Sequence, residues 1–141
     1  MHTLEDAIAL AASAHRGQVD KAGQPYILHP LRLMLRLESD AERMTAVLHD
    51  VVEDTAVSLD QLAGLGYPRE VLDALELLTR RPTDTYEAFI ERVSGNALAR
   101  RVKLADLEDN MDVRRLPAVT AKDAERLARY RAAWARLKAE P

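Results

Sequence analysis

The sequence contains no cysteine, which excludes disulfide bonds and thiolate metal sites. Helix-breaking residues are also scarce, with five glycines and six prolines among 141 residues. Because glycine and proline punctuate local structure, the long segments between them favour an all-α fold. No apolar run approaches the roughly 20 residues that a helix needs to cross a bilayer, so we expect no membrane association.

The charge of the chain narrows the class of partner. The formal net charge is −3, which gives no reason to expect binding to nucleic acid or to an anionic membrane. A length of 141 residues suits one domain spanning residues 1–141, with no room for a second catalytic domain. The first residues, 1–6, have an acidic start and lack the basic region of a signal peptide, so we expect a cytoplasmic protein. The sequence carries no signal for its oligomeric state.

Apolar periodicity divides the chain into seven or eight helices, which predicts a single helical bundle. Capping boxes mark four helix starts: Thr3 with Asp6, Ser39 with Glu42, Ser58 with Gln61, and Thr120 with Asp123. Asp84 with Glu87 is predicted to open a further helix, and another is predicted from Asn96 to about Val113. Pro30 suits the first position of the second helix, which places His29 at its mouth.

One apolar helix contains ionisable residues that a buried helix does not normally carry: His49, Asp50, Glu53 and Asp54. Successive residues are about 100° apart on a helix, so His49 and Glu53 share a face, with the two aspartates beside them. Unpaired charge there costs several kcal/mol. A divalent cation would offset this cost, whereas an isolated His-Asp pair in a solvated turn would need none.

Metal-compatible side chains occur in three separate segments. They are His29 at a helix start, His49 and Asp50 within a helix, and Asp106 on a later helix. Two imidazoles and two carboxylates can hold a six-coordinate divalent ion that keeps open positions for water and phosphate. With no thiolate available, Mn²⁺, Fe²⁺ or Mg²⁺ are favoured, and Zn²⁺ is an alternative. Glu53 and Asp54 follow one turn later, near any metal-bound water.

Three motifs carry a resemblance to a known family. They are Gly23-Gln24-Pro25-Tyr26-Ile27-Leu28-His29-Pro30, His49-Asp50-Val51-Val52-Glu53-Asp54-Thr55, and Lys103-Leu104-Ala105-Asp106 with Asn110. In this order they resemble the HD-domain phosphohydrolases, in particular the hydrolase domain of Rel/SpoT enzymes and the stand-alone small alarmone hydrolases. The resemblance implies an all-α, Mn²⁺-dependent enzyme. Its reaction would release pyrophosphate from the ribose 3′ position of a nucleotide such as (p)ppGpp.

The resemblance also implies roles for individual residues. The metal ligands would be His29, His49, Asp50 and Asp106, and Glu53 and Asp54 would orient or deprotonate the attacking water. Asn110 would hold the substrate near the ribose, and Arg126 and Tyr130 would line the nucleotide pocket. Lys21 lies in the loop that contacts the base in family members. Lys103 has two interpretations, a phosphate contact or an ion pair with a carboxylate on its own helix.

Two positions depart from the family pattern. Asp20 and Asp112 stand where family members acting on guanine alarmones usually carry arginine. An adenine analogue is therefore also a candidate substrate. Two further hypotheses stay open: an HD-domain nucleotidase or dinucleotide phosphatase acting on another nucleotide, and a non-hydrolytic nucleotide-binding regulator.

Overall fold

The computed structural model describes residues 2–139, and its regular structure is helical. The α-helices are α1 (Leu4–Ala14), α2 (Leu28–Leu35), α3 (Asp40–Asp54), α4 (Leu59–Leu65), α5 (Arg69–Leu78), α6 (Tyr86–Ser94), α7 (Ala97–Asn110) and α8 (Ala121–Lys138). A 3₁₀ turn, Val113–Arg115, separates α7 from α8. These eight helices confirm the predicted all-α fold. Both ends of the predicted domain 1–141 lie outside the described residues, so its bounds stay a prediction.

The helix starts follow local chemistry. All four predicted capping boxes form, with the side chain at the N-cap and the side chain three residues later each accepting a backbone N–H. Such reciprocal bonds satisfy N–H groups that have no partner within the helix. The turn after α4 uses Gly66 in the left-handed region, with φ 92°, where a side chain would be strained.

Two predicted boundaries are wrong near the site. Helix α2 begins at Leu28, so His29 lies inside its first turn and not before it. Pro30 fits there because N–H groups of the first turn have no intrahelical acceptor. Helix α7 ends at Asn110, three residues earlier than predicted, because Asp112 caps the following 3₁₀ turn through the Arg114 N–H.

The predicted start of α6 is also wrong. Thr85, not Asp84, is the N-cap, and its hydroxyl accepts the Ala88 N–H at 3.1 Å. Asp84 instead accepts a hydrogen bond from Arg92 Nη1 at 2.6 Å. The Asp84 side chain, predicted to cap the helix, therefore pairs with Arg92 eight residues later.

Helix α3 is the central element of the bundle. Its residues from Met44 to Val51 are all buried, and it packs against α1, α2, α5 and α7. Apolar clusters lie on both sides: Val47, Leu48 and Val51 belong to one, and Ala46 belongs to the other. Burying each such Val or Leu side chain contributes roughly 1.5–3 kcal/mol. This packing fixes the position of His49 and Asp50.

Helices α2 and α7 complete the surroundings of the site. Both pack against α3 and against each other, so residues far apart in sequence meet at one point. Helix α8 covers α7, where Ala133 and Leu137 are buried in the shared core. No helix among the described residues is both long enough and apolar enough to cross a membrane.

Candidate metal centre

Side chains from three helices converge on one point beside α3. His29, His49 and Asp50 each offer a ligand atom, and these atoms lie within 4.8 Å of one another. Asp106 joins them from α7: its Oδ1 lies 2.9 Å from His29 Nε2 and 3.6 Å from His49 Nε2. Each of these residues is at most 9% exposed. The structure thus brings together all the residues predicted as metal ligands.

Both imidazole rings turn Nε2 towards the carboxylates. His29 Nδ1 lies 2.6 Å from Asp109 Oδ2, and His49 Nδ1 lies 2.7 Å from the Ala46 carbonyl oxygen. Because both partners are acceptors, each Nδ1 carries a proton, and Nε2 is the nitrogen that each ring can offer to a metal once it has given up its own proton. Asp50 Oδ2 lies 3.2 Å from His49 Nε2 and 3.7 Å from His29 Nε2.

The donor set fits a divalent cation. His49 Nε2 is buried and has no hydrogen-bond partner among residues 2–139. A buried polar atom without a partner costs about 1–3 kcal/mol. Two nitrogens and two carboxylates facing one point form a set that first-row divalent metals accept. The chain therefore contains a candidate His/Asp metal site.

The electrostatics of the cluster agree with this fit. Burial alone would lower the pKa of His49, but the charges of Asp50 and Asp106 outweigh it and raise the pKa to about 9. Burial opposes the charged form of Asp106 too, yet Lys103 and the histidines hold its pKa well below the usual range. The cluster therefore attracts positive charge, which a metal ion can supply in place of protons.

Glu53 and Asp54 lie in the last turn of α3. Burial, followed by repulsion from Asp50, raises the pKa of both carboxyl groups. A carboxylate with a raised pKa accepts a proton more readily near neutral pH. Glu53 faces a cavity that also touches His49 and Asp50. Asp54 contributes to neither of the two cavities beside the site, and its backbone carbonyl accepts a hydrogen bond from Gln18 Nε2.

Two cavities flank the metal-ligand cluster. The larger cavity, about 290 Å³, is lined by Val19, Asp20, Lys21, Ala22, Tyr26, His29, Asn110, Asp112, Arg115, Leu116, Asp123, Arg126, Leu127 and Tyr130. The smaller cavity, about 170 Å³, is lined by His49, Asp50, Glu53, Leu78, Arg80, Tyr86, Phe89, Lys103, Asp106, Asn110 and Tyr130. Asn110 and Tyr130 line both. The histidines thus lie where the two cavities approach each other.

Known proteins with similar sequences carry names that refer to one nucleotide. A guanosine-3′,5′-bis(diphosphate) 3′-pyrophosphohydrolase of Vibrio cholerae is 33% identical, over 92% of this chain and 20% of that protein. The bifunctional (p)ppGpp synthase/hydrolase SpoT of Escherichia coli K12 is 32% identical, over 89% of this chain and 20% of that protein. This chain spans about a fifth of the length of these relatives. No protein-family model matches it.

The fold agrees with that relationship. A solved structure of a metazoan ortholog of SpoT has a TM-score of 0.79, covering 97% of this chain and 86% of that one. Its sequence identity is 23%, so this likeness concerns the fold alone. The sequence relatives and the fold support the same assignment. The chain belongs to the SpoT-like HD-domain family.

The residues predicted to bind substrate in this SpoT-like chain all line one cavity or both. Lys21 and Arg126 line the larger cavity, and Lys103 lines the smaller one. Lys103 Nζ also donates to Asp106 Oδ2 at 2.8 Å, so the ion pair on its own helix forms. Asn110 Nδ2 donates to Asp106 Oδ1 at 3.2 Å. These placements suit the predicted roles, which stay predictions.

The charges in the larger cavity are balanced. Its cations are Lys21, Arg115 and Arg126, and its carboxylates are Asp20, Asp112 and Asp123. Arg126 Nη2 lies 3.0 Å from Asp123 Oδ1, and Lys21 Nζ lies 3.8 Å from the same atom. Arg115 Nη1 lies 3.7 Å from Asp20 Oδ2. The departures from the family pattern at positions 20 and 112 therefore lie in the wall of this cavity.

Sequence reasoning missed two residues that contact the predicted ligands. The Tyr26 hydroxyl donates to Asp50 Oδ2 at 2.5 Å, and the Asp109 carboxylate contacts His29 Nδ1. Tyr26 lies inside a recognised motif, but its partner is 24 residues away. Asp109 is an acid near a helix end, which usually indicates a solvated position, yet its side chain is 1% exposed. No local pattern predicts either contact.

Proposed function

We propose that this chain is a metal-dependent 3′-pyrophosphohydrolase that releases pyrophosphate from the 3′ position of a guanosine or adenosine alarmone such as (p)ppGpp. The carrying observation is that two imidazoles and two carboxylates converge between two cavities. The names of the sequence relatives support the same reaction. We further propose that residues 1–141 form one HD-type hydrolase domain.

Mn²⁺ is the proposed metal, held by His29, His49, Asp50 and Asp106. A set of two nitrogens and two carboxylates without sulfur suits Mn²⁺ or Fe²⁺ better than a soft cation. When bound, the metal would lower the pKa of a water molecule and neutralise charge on the phosphate. The chain's own contribution is to hold the ligands rigidly, because both imidazoles are fixed at Nδ1.

Glu53 is the proposed proton acceptor. It lines the smaller cavity together with His49 and Asp50, and its raised pKa favours proton uptake. The proton from the attacking water would pass to a Glu53 carboxylate oxygen. Asp54 is proposed to assist by orienting Glu53 or the water, since it adjoins Glu53 and also has a raised pKa.

The nucleobase and the diphosphate of the substrate would occupy different cavities. The larger cavity offers apolar walls at Val19, Leu116 and Leu127, which suit a nucleobase. The smaller cavity offers the cations Lys103 and Arg80, which suit a diphosphate. Asn110 and Tyr130 line both cavities, which suits contacts to the ribose between base and diphosphate.

The direct test is product analysis with ppGpp and ppApp in Mn²⁺. Hydrolysis of ppGpp consumes one water and yields GDP and pyrophosphate, which chromatography separates. Asp50→Ala should abolish metal occupancy and turnover together. Asp60→Ala, which changes an exposed carboxylate in the first turn of α4, should leave both intact. Unchanged turnover in Asp50→Ala would contradict the proposal.

A second candidate function keeps the metal site and changes the substrate. Asp20 and Asp112 in the wall of the larger cavity favour a nucleotide other than a guanine alarmone. A panel of nucleotides, with phosphate and pyrophosphate measured separately, distinguishes a nucleotidase or dinucleotide phosphatase from the first candidate. Tight alarmone binding without product, at full metal loading, would instead indicate a regulator.

A further inference from the structure

Asp109 is the most completely buried carboxylate beside the metal-ligand cluster. Its side chain is 1% exposed and contacts side chains from two parts of the chain, α2 with its C-cap and the 3₁₀ turn. Arg32 donates two hydrogen bonds to this carboxylate, from Nε to Oδ1 at 2.8 Å and from Nη2 to Oδ2 at 3.0 Å. Arg115 Nη2 lies 3.3 Å from Oδ2 and donates to the Asp109 backbone oxygen at 2.8 Å. Arg36 Nη2 lies 3.9 Å from Oδ1, and His29 Nδ1 lies 2.6 Å from Oδ2.

Structural need alone does not account for this arrangement. A buried carboxylate costs several kcal/mol unless it is paired, and Arg32 and Arg115 already provide that pairing. The contact with His29 adds nothing that neutralisation of Asp109 requires. It does determine where the ring proton of His29 lies and which way Nε2 points.

We propose that Asp109 is a positioning residue that holds His29 as a metal ligand. The carboxylate can only accept, so it keeps a proton on Nδ1 and directs Nε2 towards Asp106 Oδ1 at 2.9 Å and Asp50 Oδ2 at 3.7 Å. Arg32 in turn fixes the carboxylate, because a bidentate grip permits one orientation. Asp109 acts only through His29 and touches no reacting atom.

The other imidazole provides an internal comparison. His49 Nδ1 donates its proton to the backbone carbonyl oxygen of Ala46, one turn earlier on its own helix. That acceptor is a neutral backbone group of α3. His29 lies in the first turn of α2, and the carbonyl three residues before it, that of Tyr26, accepts the His29 backbone N–H at 3.0 Å. A side chain from α7 supplies the acceptor instead, and its negative charge makes the imidazole a stronger donor to a metal.

The test compares Mn²⁺ affinity by titration calorimetry in metal-free wild type and in Asp109→Asn. The asparagine has the same size but no charge and a choice of amide orientations. Loss of such an outer partner weakens metal binding by about 10- to 100-fold. Glu108→Gln is the matched control, because it removes a neighbouring charge on α7 that contacts Arg36 and Trp134. Its metal affinity should equal that of wild type.

A second pair of variants separates positioning from folding. If Asp109→Asn leaves the arginines unpaired and does not fold, the double variant Asp109→Asn with Arg32→Gln removes the excess charge. Its metal affinity should fall by the same factor. Arg32→Gln alone keeps the contact between Asp109 and His29, because Arg115 and Arg36 still face the carboxylate, so its affinity should fall much less than that of Asp109→Asn. The ¹⁵N chemical shifts of His29 should show one tautomer in Arg32→Gln and a mixture in the double variant.

The outcomes also separate this inference from the proposed function on which it rests. If wild type binds no Mn²⁺, the proposed function fails. If wild type binds Mn²⁺ and folded Asp109→Asn binds it equally well with an unchanged His29 tautomer, the positioning role is overturned while the proposed function stands.

Discussion

The two cavities beside the histidines differ in how their charges are arranged. The larger one combines apolar walls with three cations and three carboxylates that lie beside one another. The smaller one brings two cations, Lys103 and Arg80, to the same space as the metal-ligand carboxylates. A bound divalent ion would turn the smaller cavity positive, and the larger would stay nearly neutral. A nucleotide with a compact diphosphate and a broad base matches that asymmetry.

The largest effect on turnover is expected at the end of α3, where Glu53 lines the smaller cavity and Asp54 lines neither cavity. Glu53→Gln should lower kcat by about a thousandfold, because general-base catalysis typically contributes 10²–10⁴-fold. Asp54→Asn should have a clearly smaller effect. Both should bind Mn²⁺ like wild type in calorimetry. An equal loss in both variants would contradict the assignment of the proton acceptor.

The next effect concerns the diphosphate. Lys103→Met should raise the inhibition constant for product pyrophosphate by about 10- to 100-fold, the value of a charge-assisted hydrogen bond. The inhibition constant for a nucleoside without phosphate should stay unchanged, because Lys103 does not line the larger cavity. Since Lys103 also bonds Asp106, the measurement needs saturating Mn²⁺. A matching rise for the nucleoside would contradict the division between cavities.

A smaller effect is expected in the larger cavity. Arg126→Gln should raise KM by about threefold without changing kcat, because this guanidinium is already paired with Asp123 and pairs of this kind contribute little. Pyrophosphate inhibition should be the same as in wild type. Steady-state kinetics with ppGpp and ppApp supplies all three values. A fall in kcat instead would place Arg126 in the chemical step.

The smallest effect should come from Asp112→Asn, which keeps an oxygen able to cap the 3₁₀ turn. Removing one negative charge from the larger cavity should lower KM for 5′-phosphorylated substrates by about twofold. Added salt should erase the difference, since the side chain is near the surface. Asp60→Asn makes the same charge change on α4 and should leave KM unchanged. If the lower KM of Asp112→Asn persists at high salt, its origin is not electrostatic.

Local signals in the sequence predicted the helices well. Each capping box depends on two residues three positions apart, and all four formed. The wrong boundary at Asp84 arose because Arg92, eight residues away, takes that carboxylate. A local pattern cannot represent such competition.

The candidate site was predictable only in part, and the reason is sequence distance. The predicted ligands carry metal-compatible chemistry in recognisable motifs, and the structure brings them together. Asp109 lies 80 residues from His29 and has no motif of its own. Its contact exists because α2 packs on α7, which is a property of the fold and not of any segment.

The central claim is that His29, His49, Asp50 and Asp106 hold one metal ion. Anomalous diffraction at the manganese edge from crystals soaked in Mn²⁺ tests it directly. We predict one strong peak about 2.0–2.5 Å from both Nε2 atoms and from one oxygen of each aspartate. A peak elsewhere in the molecule, or no peak in crystals soaked at a saturating Mn²⁺ concentration, would contradict this claim.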